Sequence, residues 1–437
     1  MRRLLGVLAV AAALVASSTA SAGTTFVVDG HGWGHGVGMS QYGAFGFALD
    51  GWRHERILAH FYRGTQLGVL PNRRVRVLVA EAQGRLTVGS TKPFRRLLPA
   101  AKRATLEAGN RLLTPRNVRG LGGSVRFGPG ASPLRVAGKA YRGSVEVYLE
   151  RGKLFAVNEV SLDHYLRGVV PREVPFFWPQ EALRAQAVVA RSYTLATLQP
   201  GDHFDLYADV RDQVYDGIKA EREPTNRAVA ATSGRVVTWN GAVATTYYHS
   251  TSGGRTANVA DVWPNAISVP YLVSVPDPYD YLSKHHRWQP AIFAPRQLAK
   301  RLRVSGLTDV IVERNASGRA GTVRVVRAAG ERRLEARDVQ ELLGLRSTFF
   351  DVRVLSLEPK ARRVKAGKPL ELTGFARGLT GIRLERAVDG GGWESVRPLR
   401  LAPTGRFRTV VRPDGPTRYR IANHVAAGLP VSVLTRP

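Results

Sequence analysis

The chain has 437 residues, 44% of them hydrophobic, enough to build more than one core. Its net charge is +30, but the cations are spread along the whole length and no DNA-binding module accompanies them, so a nucleic-acid partner is not expected. There is no cysteine, which excludes a disulfide framework and thiolate metal ligands.

Met1 to Ala22 reads as a signal peptide: Arg2 and Arg3 give the charged start, Leu4 to Val15 the apolar centre, and Ala20-Ser21-Ala22 the small-residue cleavage site. No later stretch is apolar for long enough to span a bilayer. For an exported chain this basic, anionic wall polymers or phospholipid surfaces are the expected partners. The next block runs Asp29-Gly-His-Gly-Trp-Gly-His-Gly-Val-Gly-Met-Ser-Gln-Tyr-Gly-Ala44, with five glycines in the nine positions from Gly30 to Gly38. Glycine permits positive φ and close backbone approach. His31 and His35 on such a loop suit a metal, a sugar hydroxyl or an anion; the alternative is a tight turn whose histidines bond to backbone. Gly46 to Tyr62 reads as helical packing through Phe47, Leu49, Ile57, Leu58 and Phe61.

Between Arg73 and Val160 the segments RVRVLVAEA, LRVA, YRGSVEVYL and LFAVNEV read as strands. The basic stretch from Lys92 to Gly130 carries no clear local signal. Ser161 to Leu198 is the most informative stretch. Pro171 and Pro175 bracket Glu173 and each biases its neighbours to extended backbone, which predicts a stiff connector there, not a helix face. Phe176, Phe177 and Trp178 follow as an apolar run able to wall the carboxyl. After Pro179 the pattern predicts a helix that is apolar nearly all round and therefore buried. Four polar residues interrupt it, with Gln186 and Tyr193 on one stripe and Arg184 and Arg191 on another. Buried polar groups need partners, so this helix is expected to line a site. Glu173 is either a surface carboxylate or, on a rigid mount between apolar walls, an acid whose pKa is raised enough for proton transfer.

Asp209-Val-Arg-Asp-Gln-Val-Tyr-Asp-Gly217 offers Gln213 and Tyr215 as sugar-contacting groups or as plain packing. Thr225 to Thr232 is predicted helical, and Arg235 to Trp239 and Val243 to Tyr248 extended. His249-Ser-Thr-Ser-Gly-Gly-Arg-Thr256 is a hydroxyl- and glycine-rich loop able to offer backbone N–H groups to a ligand, or a turn held by its own Ser/Thr bonds. No G-x-S-x-G elbow accompanies His249 and Ser252, which excludes a hydrolase triad of that type. Short helices are expected at Arg296 to Leu302 and Ala336 to Leu343. From Val354 the pattern changes to alternating strands with Gly/Pro turns, predicting a small immunoglobulin-like β-sandwich in which residues 351–437 carry 17 basic and 7 acidic side chains.

The segment containing Leu162, Tyr165, Leu166, Gly168, Pro171, Glu173, Pro175, Trp178, Glu181, Ala182, Leu183, Ala185, Gln186, Ala187, Arg191 and Tyr193 resembles the signature of the stage II sporulation protein D and amidase enhancer family. The glycine–histidine block, the His249 to Thr256 loop and Leu345-Arg-Ser-Thr-Phe-Phe-Asp-Val352 resemble further family segments. The glycine–histidine segment usually closes the domain; here it opens the mature chain, so the order looks circularly permuted, and the block is expected to dock beside Glu173. The resemblance covers roughly Thr25 to Val352 and implies a mixed domain over 23–352 with curved sheets and a buried helix beside the catalytic loop (23–66 being the permuted block); with the all-β accessory domain that the strand pattern predicts at 353–437, which the resemblance leaves unassigned, the expected class is α+β. The resemblance also implies a peptidoglycan lytic transglycosylase with Glu173 as acid and then base. Substrate would be held by Gln186, Arg191, Tyr193, Gln213, Tyr215, His249, Ser250, Ser252, Gly253, Gly254, Thr256, His35 and Gln41. The implied alternative is a non-catalytic wall-binding enhancer of an amidase. Several sporulation members carry Cys and His where this chain has Arg211 and Asp212, so their zinc site is not expected here; no metal and no cofactor are expected.

Overall fold

A computed structural model describes residues 23–98, 103–263 and 265–437. The expected signal peptide, Met1 to Ala22, lies outside the described residues. Strands make up 40% and helices 21%, and the strands fall in several separate sheets, which gives the expected α+β class.

The chain divides into two compact units, one of residues 32–286 and one joining the residues up to His31 with 287–437. This differs from the boundary expected at 352/353. The reason is Phe350–Pro359, an uninterrupted strand that runs through that position and pairs antiparallel with Thr24–Gly30 on one side and Leu370–Arg377 on the other. Its two faces are both buried. Leu355 and Leu357, with Val27 of the neighbouring strand, pack into a sandwich core with Leu372, Leu384 and Tyr419. Val352 and Val354, with Phe26 and Val28, pack against the Pro295–Arg301 and Ala336–Leu343 helices and the Ala320–Arg327 strand. A strand covered on both faces carries no hydrophobic-in, polar-out alternation to mark where one layer begins.

In the unit of residues 32–286, a seven-stranded sheet places Arg74–Ala82, Lys153–Ser161 and Ser144–Glu150 side by side. The Lys92 to Gly130 stretch also forms strands, at Phe94–Leu97, Arg103–Leu106, Gly109–Leu113 and Ser124–Gly128, around a short Pro115–Gly120 helix with a Thr114/Asn117 capping box. Lys153–Ser161 runs straight into the Leu162–Glu173 helix, whose N-cap is Ser161. The predicted helix is present as Gln180–Thr197. Its all-round burial has a simple cause. Ala182, Leu183, Ala187 and Ala190 face the core under the large sheet, and Ala185, Val188 and Val189 face a second core with Val37, Met39 and Phe61.

Glu173 is the last residue of a helix, contrary to the expected connector. Pro171 lies in the final turn, where its missing N–H costs a single i→i−4 bond. Pro175 then imposes the stop: Val174 is extended, at φ −134° and ψ 152°. The helix therefore ends on the carboxylate.

Candidate active site

Glu173 sits where the Leu162–Glu173 helix, the Gln180–Thr197 helix, the glycine–histidine block and the Tyr248–His249 strand meet. The block is brought there by parallel pairing of Met39–Ser40 with Tyr248–His249. Gly38, at φ +71°, lies so close that a Cβ would fall 2.0 Å from the Tyr247 carbonyl oxygen. Ser40 caps the Gln41–Leu49 helix by accepting from the Gly43 N–H. That sets Gln41 at the helix start, where its amide contacts both the Glu173 carboxyl and Gln186 Oε1, the latter at 3.4 Å. On the other side Trp178 stacks on Phe45 at 4.7 Å. Of the expected apolar wall only Trp178 is buried; Phe177 is 74% exposed and Phe176 42%.

Burial holds the Glu173 carboxyl above the ordinary carboxylate range; the hydrogen bonds from Tyr248 and Gln41 and the Arg172 charge oppose this without cancelling it. The Tyr248 hydroxyl completes a chain of donors. It donates to Gln213 Oε1 at 3.0 Å, Gln213 Nε2 donates to Thr194 Oγ1 at 2.7 Å, and Thr194 donates to the Ala190 carbonyl at 2.8 Å. Tyrosine has one hydroxyl proton. While that proton is on Gln213, the Tyr248 oxygen can only accept, and the partner that suits it is a protonated Glu173. When Glu173 is ionised, the same hydroxyl can rotate to donate to it. Tyr248 therefore serves both protonation states. It was not among the residues expected from the sequence, although it directly precedes His249.

Gln41, Gln213 and Gln186 are thus at or directly behind the carboxyl, and the partly exposed Tyr193 ring lies 6.3 Å from that of Tyr248. Other expected substrate residues are placed differently. Arg191 is 1% exposed and its guanidinium is committed to Asp163, at 2.9 Å, and to the Arg235 and Val229 carbonyls. Tyr215 is buried against Gly168 and donates to Asn158 Oδ1 at 2.9 Å. Thr256 is fully buried and bonded to the Val275 backbone. The serine–glycine loop, expected to offer N–H groups to a ligand, gives them to the protein: Ser252 N–H and Gly253 N–H go to Asp280, Ser252 Oγ–H lies between Asp277 and Asp280, and Gly254 N–H goes to Ser252 Oγ. Ser250 gives its carbonyl to Tyr42 N–H. These polar groups are engaged by protein partners that hold the site in shape. Asp277, beside Asp280 in the core, is pushed by burial to about 7.

The histidines take opposite tautomers from the backbone of one residue, Val37. His35 Nδ1 accepts from Val37 N–H at 3.0 Å, which leaves its hydrogen on Nε2, and His249 Nδ1 donates to the Val37 carbonyl at 3.2 Å. The two rings are 5.5 Å apart. In the Arg211–Asp212–Gln213 segment Asp212 accepts from Tyr207 N–H at 2.7 Å and Gln213 is engaged as above, and neither thiolate nor imidazole is present there, so the donor set does not fit zinc. Among the described residues, His54, Glu55 and Glu181 cluster closely enough to hold a cation, but Glu181 Oε2 already takes the His54 N–H and Nδ1 at 2.8 and 2.7 Å, satisfying the first N–H of the His54–Phe61 helix.

Residues 150–239 match the family described as Stage II sporulation protein. Over 177 residues the chain is 35% identical to the amidase enhancer of Bacillus subtilis, an alignment covering 38% of this chain and 24% of that protein. Over 230 residues it is 27% identical to stage II sporulation protein D of the same organism, covering 49% and 66% respectively. An uncharacterised protein of Brachyspira hyodysenteriae is 33% identical over 141 residues, covering 32% and 38%. The chain thus spans between 24% and 66% of the length of these curated relatives.

Proposed function

The chain belongs to the stage II sporulation protein D and amidase enhancer family, and from that membership we propose that it is an exported peptidoglycan lytic transglycosylase in which Glu173 is first acid and then base. The observation that carries this reading is a carboxyl at the end of the Leu162–Glu173 helix, hydrogen-bonded by Tyr248 and Gln41 and held above its ordinary range by burial. Hydrolysis of a glycosidic bond ordinarily uses two carboxylates. A single one is enough when the nucleophile belongs to the substrate. Glu173 protonates the glycosidic oxygen as the bond from the muramic acid anomeric carbon breaks. The resulting carboxylate then takes the proton from that sugar's C6 hydroxyl as its oxygen closes on the anomeric carbon, leaving a 1,6-anhydro end. Gln41 and Tyr193 are the expected residues best placed to orient the glycan. No helix among the described residues is long and apolar enough to cross a membrane. The basic residues 351–437 would tether the enzyme to anionic wall polymers.

Purified full chain acting on glycan strands, with products identified by mass, tests this. Anhydro ends from wild type and none from Glu173→Gln are expected. Reducing muramic ends would convert the reading to hydrolysis, and no release by wild type would remove the enzyme altogether. The 35% identity to a protein named amidase enhancer favours a second reading, a wall-bound activator of a partner amidase. In that case added amidase would be stimulated equally by wild type and Glu173→Gln.

A further inference from the structure

Four partly exposed rings lie in a contiguous row leading away from Glu173. Tyr248, in contact with the carboxyl, is 6.3 Å from Tyr193, and Tyr193 is 5.9 Å from Tyr247. Tyr247 is 4.8 Å from Trp263, and His35 is 5.2 Å from Trp263 and 6.0 Å from Tyr247. Tyr193, Tyr247, Trp263 and His35 each keep part of their surface open. A row that served only as core would be expected to use Phe and Leu; Tyr, Trp and His are the rings that present an apolar body to one side and a polar edge to water.

The backbone that carries Tyr247 and Trp263 is also pinned, as is the His35 ring. The Tyr247 carbonyl accepts from Tyr62 Oη at 2.7 Å and from Met39 N–H at 3.1 Å, in the close approach that Gly38 permits. Trp263 N–H closes the short Val259–Val262 helix onto the Val259 carbonyl. The Val37 N–H fixes the His35 ring so that Nε2 carries the hydrogen. Rings already ordered lose little freedom when a ligand lands on them. A β-linked aminosugar strand matches this surface, because each pyranose presents a C–H face for stacking on such rings and an edge of hydroxyl and acetamido groups that stays in water.

We propose that Tyr193, Tyr247, Trp263 and His35 form a stacking wall that binds the sugar units flanking the one attacked at Glu173. Nothing in the family resemblance assigned Tyr247 or Trp263 to binding. The proposal rests on the glycan-cleaving reading above, and its test separates the two. Binding of β-1,4-linked N-acetylglucosamine oligomers, from trimer to hexamer, is measured by titration calorimetry in the Glu173→Gln chain, so that no turnover interferes. Trp263→Ala and Tyr247→Ala added to it should each weaken binding of the longer oligomers about tenfold, the scale of one aromatic contact, and should flatten the gain in affinity with length. Trp263→Phe keeps a ring and should bind within about threefold, while the tryptophan fluorescence change on binding shrinks. This second variant covers the case in which the alanine forms fail to fold. Tight binding of long oligomers with wild-type affinity by Trp263→Ala, or an undiminished fluorescence change in Trp263→Phe, overturns the wall and leaves the glycan reading standing. Failure of the Glu173→Gln chain itself to bind any oligomer overturns both.

Discussion

Tyr248→Phe isolates the group that serves the Glu173 carboxyl. The ring remains, so packing against the core is kept, and one oxygen is lost with two hydrogen bonds. Gln213, 2% exposed, still donates to Thr194 but its Oε1 loses the donor at 3.0 Å. An orphaned buried acceptor costs about 1–3 kcal/mol, which is the expected fall in unfolding free energy from urea titration. The sign of the catalytic effect follows from the charges. A hydrogen bond to an ionised carboxylate is stronger than one to its acid form, so Tyr248 on balance favours ionisation and opposes the lift that burial gives. Removing it should raise the Glu173 pKa further and carry the alkaline limb of the kcat/KM profile to higher pH, since the acid form then persists longer. A limb that moves to lower pH, or stays in place while stability falls, would refute the assignment of Tyr248 as the partner of the catalytic acid.

Arg191→Met should unfold at markedly lower urea, by about 3–5 kcal/mol, because Asp163 loses the guanidinium it faces at 2.9 Å; a stable variant that had lost only glycan affinity would restore the substrate role for Arg191. Asp277 gives a pH signature. Its folded pKa is raised to about 7, so the folded chain holds a proton that the unfolded chain releases; the contribution is complete below the unfolded value and is lost as pH rises through 7. Urea midpoints measured from pH 5 to pH 8 should therefore fall more steeply in wild type than in Asp277→Asn, where no such proton exists.

The readable features were those written in runs of sequence. The Gln180–Thr197 helix was legible because a continuous apolar segment with a proline start has few other uses, whereas the docking of the glycine–histidine block came from the family resemblance, its five glycines saying only that close backbone approach is allowed. What could not be read was which partner each polar residue takes. Arg191 is an arginine on a buried stripe whether its counter-charge is a ligand or Asp163 on the preceding helix, and only the fold distinguishes them. The serine–glycine loop looked like a donor nest for a saccharide because Asp277 and Asp280, which consume its donors, lie more than twenty residues further on. Tyr248 was overlooked because tyrosines at the end of a strand are ordinary until one of them touches a carboxyl. The mount of Glu173 was misread, since two prolines argue against a helix, yet one of them sits in the helix's last turn at the cost of a single i→i−4 bond.

Whether one carboxylate suffices turns on Asp209 and Asp212, the two acids near the expected sugar-contacting segment. Asp209 is half exposed and locked to Arg211 at 2.6 Å, which pulls its pKa down to about 2, so it holds no proton to give and its charge is already neutralised. Asp212 differs. It is partly buried, burial raises its pKa, its charge is felt by Tyr193 and Tyr165, and one oxygen accepts from the Tyr207 N–H at 2.7 Å. Asn at this position keeps that acceptor and the local turn, so Asp212→Asn should fold normally. If the substrate's own hydroxyl is the nucleophile, the variant should retain anhydro-product formation within about threefold, a loss of well under 1 kcal/mol of transition-state stabilisation. If Asp212 activates a water, as the base of a two-carboxylate mechanism must, the rate should fall by at least about a hundredfold and the residual product should change in mass from the hydrated to the anhydro form. The second outcome would replace the single-acid mechanism with hydrolysis and make Tyr165, whose buried hydroxyl feels the charges of both Asp212 and Glu173, the residue that senses both.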